Sequence, residues 1–488
     1  MNMDESDIIC RFLDAELCLH PNVLEQISSM EDPSEVVERL ISSTEGNGRI
    51  ITPEDVRALK TEVIVKKGRR RIAEEYDSEI ELRDVSKNAS SRGCIEGFVK
   101  HFNSRYEKGL KVFRERKHLI DSHTVEQALA AGGKSDVKII GLVESVRESK
   151  KGNTIIFIED PTGVVPVVVL KSDRELAEFA RTIVNDDILA VEGVTGSREG
   201  GIVIAKTLSF PDVPYQRATE SRSEPLAIAL VSDIHVGSFE FMEKEFLRFL
   251  KWLNCEVGSS RQRELAERVK YMVVAGDLVD GVGIYPGQID DLNIKDIFSQ
   301  YKRLSELFDM IPDYIEIIVG PGNHDATRQA EPQTPIFEDY APELYENPMI
   351  HMVGNPCYAR LHGTSVLAYH GRSMDDIISK VPGNSYSDPD KAMLNLLKKR
   401  QLVPIFGEKV PVSPGTEDCL FIDEVPDILH CGHVHTTGVQ SYRGVTIVNS
   451  GAFQSQTDFQ KRLNMQPDPG KVPIYEISTR KTTIMKFT

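Results

Sequence analysis

Residues 314–329 read "YIEIIVGPGNHDATRQ", an apolar run that ends abruptly on Asn323, His324 and Asp325. Buried strands seldom finish on three adjacent polar side chains unless those side chains have partners. Outward from this stretch the same form recurs. "LAIALVSDIH" ends in Asp233 and His235, "YMVVAGDLVD" reaches Asp277, "SVLAYHG" ends on His370, and "DILHCGHVH" on His433 and His435. Short apolar runs bounded by turn residues predict strands. Loops at the carboxyl ends of sheet strands are where such folds gather side chains around a ligand. Each piece alone is common by chance; five such ends in one chain are not.

The donor types narrow the chemistry. Oxygen and imidazole ligands without thiolates suit divalent ions such as Mn²⁺, Fe²⁺ or Zn²⁺, with Mg²⁺ a further candidate. A carboxylate shared by two ions holds them about 3.5–4 Å apart. Asp277 is the natural bridge for two divalent metal ions, which would activate water and neutralise phosphate oxygens.

At 488 residues the chain must build several cores. Its net charge of −17 excludes a protein that coats nucleic acid by bulk attraction, so any such contact must be local. No apolar run approaches the roughly 18 residues of a membrane span, and "MNMDESDIICRF" lacks the form of a secretory signal, so a cytoplasmic chain is expected. Seven scattered cysteines, none in a C-x-x-C pair, read as reduced thiols.

The expected fold class is multidomain α+β. Residues 1–62 carry apolar side chains three and four apart and predict a helical domain. Residues 63–135 read as a polar linker holding an amphipathic helix, "EGFVKHFNSRYEKGLKVFRERK"; the basic run "KKGRRR" at 66–71 either touches phosphates or is a solvated face. Residues 136–212 give five β-rich runs with a helix after the third, the order of a five-stranded OB-fold barrel. Such barrels bind single strands or dock proteins, and here only Phe157 and Phe210 offer stacking platforms. Residues 225–488 hold the strand ends described above.

The order D-x-H, G-D-x-x-D, G-N-H-D, a lone histidine and G-H-x-H over about residues 226–455 resembles the calcineurin-like metallophosphoesterases. The resemblance implies an αββα sandwich with one ion held by Asp233, His235, Asp277 and His435, and the other by Asp277, Asn323, His370 and His433. It also implies that His324 stabilises the transition state or protonates the leaving oxygen, with Asp325 as its orienter. Arg372, two residues after His370, reads either as a bidentate clamp on a phosphate or as an ion-pair partner of Asp375 or Asp376. A serine/threonine phosphatase or cyclic-nucleotide phosphodiesterase is a rival reading, but Gly281 after Asp280 and Asp325 after His324 depart from the phosphatase pattern.

Helical head, barrel and phosphoesterase in series, with "FVKHFNSRYEKGLKVFRER", "NHDATRQAEPQTP", "YHGRSMDDII", "LLKKRQLVPIFG" and "LNMQPDPGKVPIYE", resemble the small-subunit family of archaeal family D DNA polymerases. That resemblance implies a large catalytic polymerase subunit as partner in a heterodimer or larger complex, and DNA with a 3′ end as substrate. The implied activity is a 3′→5′ exonuclease of proofreading type in nucleoid-associated replication. Polymerase activity would arise only with the large subunit, any sliding clamp would be met through the complex, and no membrane is involved. A purely structural subunit is the other reading, and the intact ligand set counts against it.

Overall fold

The computed structural model describes residues 5–15, 17–20, 23–24, 27, 36–37, 40–41, 50–53, 71–88, 93–196, 201–215, 223–462 and 464–488. The chain forms two compact units, Met1–Arg71 and Ile72–Thr488. In the first, α1 (Glu5–Asp14) is followed by a two-residue parallel pairing of β1 (Cys18–Leu19) with β2 (Ile50–Ile51). Ile8, Phe12, Leu17, Val23, Ile27, Val37, Leu40 and Ile51 form its core. The other expected helices of residues 1–62 lie largely outside the described residues, as does the 66–71 basic run apart from Arg71.

The second unit corrects the linker reading of residues 63–135. From residue 72 this segment is folded structure. It contributes β3 (Ile80–Asp84), α2 (Ile95–Arg114) and α3 (Val125–Ala130). The barrel follows: β4 (Asp136–Glu148), β5 (Thr154–Asp160), β6 (Gly163–Val169), α4 (Arg174–Ala180), β7 (Ile188–Thr195) and β8 (Val203–Ser209), closed in the order β4-β5-β6-β8-β7. The helix stands after the third strand, as the sequence pattern requires.

The remainder alternates strand and helix: β9 (Ala227–Val231), α5 (Glu243–Leu253), α6 (Ser260–Ala266), β10 (Val269–Ala275), α7 (Ile297–Phe308), β11 (Glu316–Gly320), α8 (Pro342–Glu346) and β12 (Ile350–Met352). Then come β13 (Cys357–Leu361), β14 (Thr364–Ala368), α9 (Met374–Lys380), α10 (Pro389–Lys399), β15 (Ile428–Cys431), β16 (Thr437–Tyr442) and β17 (Val445–Ser450). The chain closes with α11 (Asp458–Arg462), β18 (Lys471–Glu476) and β19 (Lys481–Lys486). Two six-stranded sheets result, β12-β11-β10-β9-β18-β19 and β16-β17-β15-β14-β13-β3.

Side-chain alternation shows how the layers pack. In β9 and β10, Ile228, Leu230, Tyr271 and Val273 meet Ala359, Val366, Ile428 and Val448 of the other sheet. Their neighbours Ala229, Val231, Met272 and Val274 face Phe246, Phe249, Trp252, Tyr301 and Leu304 of α5 and α7. On the far side, Leu367, Leu429 and Ile447 pack under Met393, Leu396 and Leu397 of α10. Strands covered on both faces read as continuous apolar runs, which is the pattern seen in the sequence.

α2 joins barrel and sandwich. Phe113 packs with Ile140 and Ile188 of the barrel and Phe421 of the sandwich. Arg105, buried, donates from Nε to Asp418 at 2.8 Å and from Nη1 to the Pro404 carbonyl at 3.1 Å. Lys399 of α10 reaches across to Asp187 and to the Thr182 carbonyl, 2.9 Å away, so a second buried cation ties the two.

Candidate metal centre

The sheets are in register so that the strand ends meet. β9, β10 and β11 run parallel, with Val231 level with Val274 and Ala275 level with Gly320. β14, β15 and β17 also run parallel, with Ala368 level with His430 and His430 level with Val448. The loops then bond to one another: Asp233 N donates to Gly276 O (2.9 Å), His235 N to Asp277 O (3.1 Å) and Gly432 N to His370 O (2.9 Å).

Aiming the donors inward distorts the backbone. Asp233 (φ 52°), His235 (56°), Asp277 (51°), His433 (69°) and His435 (56°) are all left-handed, a conformation that costs an L-residue roughly 1–3 kcal/mol and is held only where the surroundings enforce it. Two glycines explain their own place in the motifs. A Cβ on Gly322 would stand 2.2 Å from Asp277 Oδ1 and 2.7 Å from His370 Cε1, and one on Gly432 would stand 2.3 Å from Asp233 Oδ2.

All seven sequence-predicted ligands converge. His435 Nε2 lies 3.4 Å from Asp233 Oδ1 and 3.2 Å from His235 Nε2. His235 Nε2 lies 3.8 Å from Asp277 Oδ2. On the other side of Asp277, His370 Nε2 lies 3.3 Å from its Oδ2 and 3.0 Å from Asn323 Oδ1. His433 groups with Asp277 and His370, and Asp233, His235 and His435 form a second group with cation-binding spacing. Asp277 faces both. The fit to cations has a direct mark: Asp233 Oδ1 is buried and accepts no hydrogen bond, a costly state for a carboxylate oxygen that a metal ion would relieve.

The outer ring atoms are also tied. His235 Nδ1 pairs with Asp280 Oδ1 at 2.9 Å, His370 Nδ1 with the Ala275 carbonyl at 2.8 Å, and His435 Nδ1 lies 3.0 Å from Gln460 Nε2. Such support fixes ring orientation and leaves the other nitrogen for the centre. Burial opposes ionisation of Asp277, yet His370 and His324 hold its carboxyl well below the usual range. Burial likewise opposes protonation of His370, and Asp277 and Asp233 override it, raising the pKa to about 10. The centre is thus a concentration of negative charge that draws cations.

The reading of Asp325 is corrected. His324 Nδ1 is held by the Asp280 carbonyl at 2.8 Å, not by Asp325. Asp325 is buried beneath the loop and accepts from Gly322 N (2.8 Å), Leu278 N (3.3 Å) and Tyr301 OH (3.1 Å). It shapes the backbone that carries the ligands, and burial together with Asp277 raises its pKa to about 6. Asp280, buried and bonded by Gln288 and Gln454 at 3.0 Å each, is the functional residue that sequence reasoning missed. Its place as the second aspartate of G-D-x-x-D was the available signal. Arg372 reaches Gln329 Oε1 at 3.2 Å, and among the described residues it forms no ion pair with Asp375 or Asp376; Asp375 instead lies 3.5 Å from His433 Nε2.

Comparison with known proteins agrees with this architecture. The family of DNA polymerase alpha/epsilon B-type subunits matches residues 228–438, and the family described as an OB-fold nucleic acid binding domain matches residues 137–210. The DNA polymerase II small subunit of Archaeoglobus fulgidus is 46% identical over 394 residues, 81% of this chain and 78% of its own. That of Methanothermobacter thermautotrophicus is 40% identical over 477 residues, 96% and 97% of the two chains. That of Halobacterium salinarum strain R1 is 38% identical over 424 residues, 86% and 80%. Identity sustained along nearly the whole of both chains goes beyond a shared fragment, and the chain belongs to the family of archaeal DNA polymerase II small subunits.

Proposed function

We propose that this chain serves DNA replication as the hydrolytic small subunit of a polymerase, its sandwich a calcineurin-like phosphoesterase that removes nucleotides from DNA 3′ ends. The observation that carries the reading is the position of Asp277 between two complete donor sets, next to a buried carboxylate oxygen with no donor of its own. Asp233, His235, Asp277 and His435 would hold one divalent ion, and Asp277, Asn323, His370 and His433 the other. When bound, such a pair, Mn²⁺ being the best match to mixed oxygen and imidazole donors, supplies a water of lowered pKa and neutralises phosphate oxygens.

His324 has a distinct part. With Nδ1 committed to the Asp280 carbonyl, its Nε2 is the nitrogen that can donate to a phosphate or leaving oxygen when the ring is protonated. His324→Ala is therefore expected to keep bound metal while losing ~10²–10⁴-fold in rate. Metal content measured beside activity checks this, and an emptied site would make His324 a ligand. Arg372, held only by Gln329 and half-exposed, is free to swing onto a phosphate. Arg372→Lys should raise the half-saturating DNA concentration several-fold with little change in maximal rate, and unchanged kinetics would remove it from the site.

The relatives' designation as small subunits supports a large catalytic subunit as partner. A net charge of −17 also makes the chain alone a weak grip on DNA. The test is incubation of the purified chain with 3′- and 5′-labelled oligonucleotides, with Mn²⁺ and with EDTA. Metal-dependent release of single nucleotides from the 3′ end, without nucleotide incorporation, is expected. Release from the 5′ end, or cleavage that persists in EDTA, would overturn the proposal.

A further inference from the structure

A cavity of about 600 Å³ opens where the barrel meets the second sheet, away from the strand-end centre. Arg116, Lys398, Arg400 and Arg443 line it, against only Glu115 and Asp212. In a chain of net charge −17 this is a local excess of positive charge. Asp212 is already occupied: its Oδ2 takes Arg443 at 2.9 Å and the Tyr442 hydroxyl at 3.0 Å. Arg116 and Arg400 donate to neutral carbonyls, those of Phe210 (3.2 Å) and Asp212 (2.9 Å), which leave their charges largely uncompensated. Burial accordingly lowers the pKa of both. Lys398 is half-buried, and among the described residues its ammonium has no carboxylate partner, lying 5.1 Å from the Tyr442 ring centroid.

Aromatic rings complete the cleft. The Arg443 guanidinium lies 5.2 Å from the Tyr442 centroid and 5.3 Å from that of Tyr215. Tyr215 is 80% exposed, so its ring offers a free face beside a cation. Phe179 and Phe210, 4.9 Å apart, form part of the barrel side of the wall. Cations without carboxylate partners beside open aromatic faces are what a nucleotide needs, the phosphate finding the charge and the base the ring. A volume of this size admits one such unit.

We propose that this cleft between barrel and sandwich binds a nucleotide unit, with Lys398 at its phosphate and Tyr215 under its base. The unit is either part of a single DNA strand or a free mononucleotide. The proposal stands apart from the hydrolytic reading, since none of these residues belongs to the strand-end centre.

The test uses the full chain in EDTA, with the fluorescence anisotropy of a labelled oligothymidylate as readout and dAMP as competitor. Lys398→Gln should weaken binding several-fold and reduce the slope of log affinity against log salt by about 0.7, the value for one phosphate contact on a single strand. Tyr215→Ala, at an exposed position that does not burden the fold, should weaken binding about five-fold or more. If dAMP displaces the oligonucleotide from the parent chain, the cleft accepts a free nucleotide; if it does not while both variants bind more weakly, the strand is the ligand. Parent-like affinity in both variants, or no binding of either probe to the parent chain, would overturn the proposal. With chelator present throughout, the result does not depend on whether the strand-end centre hydrolyses DNA.

Discussion

Asp277→Ala should reduce metal-dependent release of nucleotides from a 3′ end by at least about 10³-fold, below detection in a standard gel assay. Among the described residues, Asp277 is the side chain that faces both donor groups: its Oδ2 is 3.8 Å from His235 Nε2 and 3.3 Å from His370 Nε2. Its removal takes a ligand from each set at once, whereas His435→Ala would leave the second set whole. The fold should survive, because Asp277 sits at a strand end and the layers are held by apolar faces on either side of β10. Calorimetric titration with Mn²⁺ should show tight binding to the parent chain and none to the variant, with metal-free unfolding midpoints within a few degrees. A variant that binds two equivalents of Mn²⁺ as the parent does would show that Asp277 is not shared.

Arg105→Met should be the most damaging single change outside the centre, at about 3–5 kcal/mol, the usual cost of leaving a buried charge without its partner. Asp418 is fully buried and takes Arg105 Nε at 2.8 Å and Gln401 Nε2 at 3.1 Å. Burial opposes its ionisation, but Arg105 and His101 outweigh that and hold its pKa at about 2. The native value lies below the unfolded one of about 3.9, so the stabilisation is complete above pH ~4 and is lost as pH falls toward 2. Thermal unfolding followed across that window should fall steeply for the parent and less so for Arg105→Met. The double change Arg105→Met with Asp418→Leu should recover most of the loss at pH 7, as apolar replacements of buried pairs commonly do. A double variant no better than the single one would place the cost in lost shape rather than in stranded charge.

How much could be read without the fold follows from where each signal is written. The seven donors were legible because each closes an apolar run, and the parallel register of β9, β10, β11, β14 and β15 converts that pattern into convergence. The barrel was legible from turn residues and the single helix after its third strand. β3 was not: "IELRD" is an edge strand with its side chains mostly turned to solvent, and its partner, β13, lies far along the chain. The support of His324 was illegible for another reason. Its acceptor is a backbone carbonyl, which every residue possesses, so adjacency suggested Asp325 when the true neighbour was the main chain of Asp280. The ring pair Tyr215 and Tyr442 is likewise joined only by folding, through Arg443.

The left-handed ligands make decay of this centre energetically downhill. Asp233, His235, Asp277, His433 and His435 hold backbone angles that glycine adopts freely, and the acidic ones add a cluster of charge with no counter-ion of its own. Replacing any of them would relieve strain or repulsion while destroying cation binding. Stability therefore gives no protection to catalysis here. A lineage in which hydrolysis ceased to be selected would lose these side chains quickly and end with a sturdier scaffold, whereas their joint retention in this chain is the trace of selection for use.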